Sequence, residues 1–143
     1  KCLFKAKLVN QPESNYRDDG LILYNTYLTA ALKCVPPGDK PTTNELKTCS
    51  TFFKREINSL SRINIIVALG KIAFDACLNL YKENHPIKNK DFIFSHGAKY
   101  ELPDKKILIG SYHPSPRNVN TGRIDIRKMV KLLKEVKKLL NNK

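Results

Sequence analysis

The residues best suited to chemistry lie together in one polar stretch, residues 111–123. A histidine can donate a hydrogen bond to an oxygen that gains negative charge, and hydroxyl groups and arginines can hold phosphates. Packing requires none of these residue types in this order, so the stretch is the predicted site. Its candidate members are His113, Pro114, Ser115, Asn118, Thr121, Gly122 and Arg123.

Two residues outside this stretch are further candidates. Gly70 follows an apolar run, where a helix N-terminus would be open to an anion, although close packing of a helix against a strand explains this glycine equally well. His96 precedes a glycine, which is typical of a turn, and it is also placed to approach a ligand. The adjacent carboxylates Asp18 and Asp19 suit a solvated turn better than a catalytic or metal pair. The sequence has no Ser–His–acid order, no H-E-x-x-H motif and no phosphate-binding glycine loop.

The elements that position these residues are predicted from hydrophobic periodicity. Apolar runs at residues 27–32, 63–69 and 106–110 predict buried parallel strands, and residues 92–94 predict a short strand. One helical pattern ends near residue 9, and two further helical patterns cover residues 71–83 and 126–140. A capping box at Thr42 and Glu45 begins a further helix that runs to about residue 60. The inward face predicted for the 71–83 helix is Ile72, Ala73, Ala76, Cys77 and Leu80.

This alternation of elements predicts one α/β domain over residues 1–143, a sandwich with parallel strands. Its carboxyl edge would gather residues 34–41, Gly70 and residues 112–123, because ligands bind at the strand ends of such sheets. The chain begins at Lys1 without a methionine and shows no secretory signal, so we expect an N-terminal portion to be missing.

Charge and cysteine content narrow the function further. Lys and Arg number 26 against 13 Asp and Glu, a formal charge of +13. That excess favours a polyanionic partner, most simply nucleic acid, over a lysine-rich surface that only aids solubility. No apolar run approaches the roughly 20 residues of a membrane span. Four cysteines without a C-x-x-C pair predict a reducing compartment, with metal ligation or burial ahead of disulfides.

Several motifs together resemble the iron–sulfur uracil-DNA glycosylases, and in particular their family 5 group. The resemblance covers essentially the whole chain, including the 15-residue interval between Cys34 and Cys49. The extended H-P-S-x-x-N-x-x-T-G-R loop distinguishes family 5 from family 4. The residues that carry it are Thr29-Ala-Ala-Leu-Lys-Cys34-x-Pro-Pro, Lys40-Pro41, Glu45, Cys49, Val67-Ala-Leu-Gly70, His96-Gly-Ala98 and Tyr112-His-Pro-Ser-x-x-Asn-x-x-Thr-Gly-Arg123.

The resemblance implies a DNA-repair enzyme that flips uracil out of the duplex and hydrolyses its N-glycosidic bond. Other deaminated bases would also be accepted. His113 would donate to uracil O2, Pro114 and Ser115 would hold a flanking phosphate, and the residues from Asn118 to Arg123 would contact DNA or fill the gap left by the base. Gly70 and His96 would belong to the same site. The alternative is a non-catalytic iron–sulfur DNA-binding module.

The resemblance also implies a [4Fe–4S] cluster, with Cys34 and Cys49 as two of its four ligands. The other two ligands, the first sheet strand and the motif that positions the attacking water would lie upstream of Lys1. The fold would be the three-layer sandwich of uracil-DNA glycosylases with that strand missing. The protein would be monomeric and cytoplasmic, associated with a prokaryotic nucleoid and not with a membrane.

Two departures from the family pattern bear on DNA recognition. Ala30 stands where family 4 enzymes carry an asparagine that reads the base, which suits family 5 but leaves base recognition less defined. Arg117 replaces a frequent glutamine and adds positive charge to the loop.

Overall fold

A computed structural model describes residues 1–33 and 42–142. The chain forms two compact units, one of residues 29–112 and one that joins residues 1–28 to residues 113–143. The helices and strands, in chain order, are α1 (Cys2–Lys5), α2 (Thr43–Ser59), β1 (Ile65–Leu69), α3 (Lys71–Lys82), a 3-10 turn (Asn89–Asp91), β2 (Lys99–Glu101), β3 (Ile107–Ser111), α4 (Pro116–Asn120) and α5 (Ile126–Asn141).

The 29–112 unit is built on a three-stranded sheet in the order β1-β3-β2. Strands β1 and β3 are parallel, as predicted, with Leu69 opposite Ser111 at their last pair. Strand β2 was not predicted and runs antiparallel to β3. The connection between β2 and β3 is only residues 102–106, too short for a parallel crossover. The α/β class is therefore confirmed, the prediction of a wholly parallel sheet is wrong for the described strands, and the three-layer sandwich stays a prediction.

Helix α3 packs on this sheet through a face that only partly matches the predicted one, since Cys77 is buried and Ala73, Ala76 and Leu80 contact the core as predicted. The buried residues are Phe74, Cys77, Leu78 and Tyr81, which follow the i, i+3, i+4, i+7 spacing of a single stripe. Ile72, predicted to face inward, is 46% exposed. The helix is apolar on most sides, so hydrophobic periodicity alone does not determine which face is buried. The rings of Phe74 and Tyr81 determine it, because they fill more of the core than alanine side chains do.

Helix α2 begins as the sequence predicts. The Thr42 hydroxyl accepts a hydrogen bond from the Glu45 backbone N–H at 3.3 Å, and the Glu45 carboxylate accepts from the Thr42 N–H at 2.7 Å. The reciprocal pair satisfies two of the donors that every helix start leaves open. Cys49 and Phe53 are its buried residues.

Two predicted strands are absent, and side-chain hydrogen bonds explain both cases. Residues 27–32 form no strand, with Tyr27 54% and Leu28 56% exposed. The Lys33 ammonium bonds Thr29 Oγ1 and the Glu56 carboxylate, each at 2.7 Å, which ties the segment to α2 instead of to a ladder.

The second absent strand is residues 92–94. There the Tyr100 hydroxyl accepts from the Ile93 N–H at 2.9 Å and donates to the Ile93 carbonyl at 2.7 Å. These bonds use the backbone groups that a neighbouring strand would need. The Phe94 ring instead packs edge-on against Phe74 in the core, at 5.5 Å between centroids.

The other unit is organised around α5. Asp125 caps this helix by accepting from the Lys128 N–H at 2.8 Å. The buried face is Met129, Leu132, Leu133 and Val136. Helix α1 contacts α5, and the Lys137 ammonium donates to the Lys7 carbonyl at 2.8 Å, which holds the N-terminal segment against the helix.

A turn at Asp18 and Asp19 completes this unit. Asp19 accepts from the N–H groups of Asn15 and Leu21, and the bond from Asn15 lowers the pKa of its carboxyl group. The carboxylate pair is therefore explained by the turn, as predicted. Within the described part of the chain, no helix has the length and apolar character needed to cross a membrane.

Candidate active site

The carboxyl ends of β1 and β3 bring Gly70 and Ser111 into contact. The Gly70 N–H donates to the Ser111 carbonyl at 2.7 Å, and Gly70 turns with φ 97° directly into α3. A positive φ of this size favours glycine. Gly70 therefore lies beside the last residue of β3, and its predicted meeting with residues 112–123 stays a prediction. The predicted loop at residues 34–41 lies outside the described residues.

A tight turn holding His96 packs against the end of β3. The Gly97 N–H donates to the Gly110 carbonyl at 2.8 Å, and the Gly110 N–H donates to the Ala98 carbonyl at 2.9 Å. A Cβ atom at Gly110 would lie 2.6 Å from the Ser95 carbonyl oxygen. Glycine is therefore required at Gly110, because any side chain would push the histidine turn off the strand.

The His96 ring contacts Ser111, the last residue of β3, and Tyr112, which follows it. Its Nδ1 lies 3.3 Å from the Oγ of Ser111, a residue with no exposed surface, and Ser111 Oγ also donates to the Tyr112 carbonyl at 3.1 Å. Because a hydroxyl carries one hydrogen, both contacts are satisfied together when Nδ1–H donates to Ser111. The ring also stacks on Tyr112, with centroids 5.7 Å apart and planes inclined by 16°. His96 thus fixes Tyr112, the residue immediately before His113.

The predicted loop after Tyr112 contains a short helix, α4. Ser115 is its N-cap and accepts from the Asn118 N–H at 3.4 Å, with Pro116 at the first helical position. Thr121 is the C-cap, and Gly122 follows with φ 69°. The expectation of a continuous loop is wrong here. Serine followed by proline at the start and glycine after the end is a known helix signal that the sequence carried.

Asn118 holds the main chain of His113. Its side-chain Nδ2 donates to the His113 carbonyl at 2.9 Å, and its own carbonyl accepts from the Ile124 N–H at 3.3 Å. These bonds close residues 113–124 into a compact turn, while the His113 side chain stays exposed. Pro114, Thr121, Gly122 and Arg123 are exposed as well.

The cysteines differ in their fitness to bind a metal. Cys49 is buried, and its Sγ accepts from the Lys33 backbone N–H at 3.4 Å; Lys33 immediately precedes Cys34, which lies outside the described residues. Cys77 lies in the apolar core, and burial raises the pKa of its thiol to about 12, which disfavours the thiolate. In residues 1–33 and 42–142 no three His, Cys, Asp or Glu side chains gather into a metal site.

In the 29–112 unit, the parallel strands end beside the turn that carries His96. Comparison with known proteins assigns the class of the chain. The family model of the uracil DNA glycosylase superfamily matches residues 1–138, so the chain belongs to that superfamily. This confirms the family resemblance predicted from the sequence.

Similarity to individual proteins agrees with this family assignment. The chain is 42% identical over 140 residues to the Type-5 uracil-DNA glycosylase of Thermus thermophilus, covering 96% of this chain and 60% of that protein. It is 36% identical over 134 residues to the Type-5 uracil-DNA glycosylase of Pyrobaculum aerophilum, covering 94% and 56%. The Type-4 uracil-DNA glycosylase of Archaeoglobus fulgidus is 32% identical over 100 residues, covering 67% and 48%. The chain thus spans about half to three fifths of the length of these relatives.

Proposed function

We propose that the protein removes uracil from DNA by hydrolysing the bond between the base and deoxyribose. The observation that carries this proposal is the exposed His113, whose main-chain carbonyl is held by the side chain of Asn118. Membership of the superfamily and the formal charge of +13 support it. A DNA partner matches that charge through phosphate contacts and counterion release.

His113 is the proposed catalytic residue. The target base leaves the stack before reaction, because its glycosidic bond is not accessible inside a duplex. Uracil departs as an anion, and a His113 donor aimed at its O2 stabilises the charge that develops there. A preorganised donor in such a site lowers the activation free energy by about 2.7–4 kcal/mol.

The segment that follows His113 is proposed to hold the DNA backbone. Ser115 Oγ accepts a bond as the cap of α4, which leaves its hydroxyl hydrogen to donate to a phosphate oxygen. Pro114, Thr121, Gly122 and Arg123 are exposed and accompany it in this role. Gly70 and His96 are also proposed to bind the substrate or the DNA, as the family resemblance implies.

We also propose that Cys34 and Cys49 are two of the four thiolates of a [4Fe–4S] cluster. Cys49 fits, because an N–H donated to a ligating sulfur is a common way in which proteins tune such clusters. The donor here is Lys33, the neighbour of Cys34 in the chain. When bound, the cluster joins its four cysteines into one cross-linked site, and no step of base removal depends on it here.

The remaining details of the proposal follow from the same resemblance. The side chain of Ala30 is a methyl group and has no amide with which to read a base. This supports acceptance of other deaminated bases besides uracil. The complete fold is proposed to be the three-layer sandwich of the superfamily. The protein is proposed to act as a monomer in the cytoplasm, associated with the nucleoid of a prokaryote.

An excision assay tests the proposal. Full-length protein is incubated with duplexes that differ only in uracil or thymine at one position, and released base and abasic sites are measured. We expect abasic sites in the uracil duplex alone. Binding to the uracil duplex without any abasic site would reject the enzyme and favour the non-catalytic DNA-binding module.

A further inference from the structure

Helix α5 carries a straight stripe of positive charge on its exposed side. Arg127, Lys131, Lys134 and Lys138 are spaced by four, three and four residues, which places them on one face of a helix. All four are exposed. At 1.5 Å per residue the stripe is about 16 Å long. Lys5, at the end of α1, lies across the groove that the stripe borders, and Glu135 is the acidic residue of that lining.

The stripe is not explained by the stability of the helix. Like charges at i, i+3 and i, i+4 destabilise a helix, and cations in the first turn oppose its dipole. Arg127 and Lys128 occupy that turn beside the N-cap carboxylate of Asp125, which interacts with both charges. Lys138 lies in the last turn, where the dipole favours a cation. Lys131 and Lys134 between them have no such compensation. Across the described residues, none of the five groove cations forms an ion pair with a carboxylate. The helix therefore holds charge that an external anion would neutralise.

The rest of the helix decides which polyanion fits. A basic amphipathic helix can also lie on an anionic membrane, but it then inserts its apolar face. Here that face is already buried, through Met129, Leu132 and Leu133 among others. A straight row of cations matches instead the regular charge of duplex DNA, one negative charge per about 1.7 Å of axis.

We propose that the groove between α1 and α5 binds the phosphate backbone of duplex DNA beyond the residues that receive the target base. The stripe starts four residues after Arg123, and the Lys128 ammonium donates to the Gly122 carbonyl at 2.7 Å, which ties the start of α5 to the site segment. DNA held by that segment thus has a path onto the stripe. The inference takes DNA as partner from the proposed function and adds a surface that acts on affinity, not on chemistry.

The test is the salt dependence of binding to a uracil-free duplex, measured with full-length protein. The variant replaces Arg127, Lys131, Lys134 and Lys138 with glutamine, a good helix former. We expect affinity to fall at least about tenfold at roughly 0.1 M salt, and the slope of log K against log salt to flatten by about 3 to 4. Replacing the three lysines with arginine should retain wild-type binding.

A matched control removes four exposed cations from the other unit, through Lys47→Gln, Arg55→Gln, Lys88→Gln and Lys90→Gln. This control variant should change affinity much less than the α5 variant, although the two variants have the same net charge. Equal losses in both variants, or no loss in the α5 variant, would overturn the proposal. A loss of duplex RNA binding with DNA binding intact would overturn it too, in favour of an RNA partner. Because the DNA lacks uracil, this result stands apart from whether the protein excises the base.

Discussion

The side chain of Asn118 holds the backbone carbonyl of His113, with 2.9 Å between Nδ2 and the oxygen. A residue that the sequence suggested as a DNA contact therefore has a second task within the protein. It fixes the main chain from which the proposed catalytic side chain projects. The same asparagine donates its backbone N–H to the Ser115 cap, so one residue connects both halves of the segment.

We predict that Asn118→Ala slows uracil excision roughly two- to tenfold while DNA affinity changes less. The variant loses one hydrogen bond, with a net contribution of about 0.5–1.5 kcal/mol, and about 1.4 kcal/mol is a factor of ten in rate. Single-turnover excision at saturating protein measures the effect. Asn58→Ala, at an exposed position of α2 outside the proposed site, is the control. Weaker DNA binding with an unchanged saturated rate would make Asn118 a DNA contact alone.

Gly110→Ala should destabilise the protein and displace the His96 turn. The added Cβ would meet the Ser95 carbonyl at 2.6 Å, and overpacking of this kind costs about 1–3 kcal/mol. We expect a clear fall in Tm, measured by thermal unfolding. Gly97→Asn is the comparison, since no atom lies within 4 Å of that Cβ position and asparagine tolerates positive φ. If the two variants have the same Tm, the close approach at Gly110 carries no cost.

Local signals predicted much of the fold. The capping box at Thr42, the apolar run that became β1 and the strongly amphipathic α5 were all identified, because each is encoded within a few neighbouring residues. The predictions that failed concern segments whose structure depends on residues distant in the sequence. Residues 27–32 are apolar enough for a strand, yet Lys33 and Glu56 bind the segment to α2. The strand β2 has only three residues and is recognisable only once β3 is beside it.

The site was predicted by residue type, but its internal support was not. The polar stretch was identifiable because packing did not explain it. Its contacts were hidden, because the bond from Asn118 to His113 and the stacking of His96 on Tyr112 depend on side-chain geometry. The capping of α4 by Ser115 was readable in principle, since serine before proline is a frequent helix start.

Substitution of the cysteines should separate a cluster ligand from a core residue. We predict that Cys49→Ser lowers the iron content and visible absorbance of full-length protein, while Cys77→Ser retains both. The reason is that Cys77 is enclosed in the apolar core on α3, whereas the Cys49 sulfur accepts an N–H bond from Lys33, the neighbour of Cys34 in the chain. Equal iron contents in the two variants would exclude Cys49 as a ligand.

Cys77 also predicts a loss of stability at alkaline pH. Its pKa is raised from 9.0 to about 12 by burial, so the folded protein keeps a proton that the unfolded chain releases. Stability from this group is complete below about pH 9 and declines as pH rises toward 12. Urea midpoints measured between pH 8 and 10 should fall less steeply for Cys77→Ala than for the unaltered protein. Tyr81, whose pKa is raised in the same direction by burial, leaves a residual slope. Parallel pH profiles for the two proteins would show that Cys77 titrates normally.

The central claim is that His113 stabilises the departing uracil, and single-turnover excision by His113→Ala tests it most directly. With protein saturating over a uracil-containing duplex, we predict a rate about 10²–10³-fold lower and a DNA affinity close to that of the unaltered protein. A rate that is unchanged at saturation, with weaker binding as the only effect, would contradict the claim and make His113 a DNA contact.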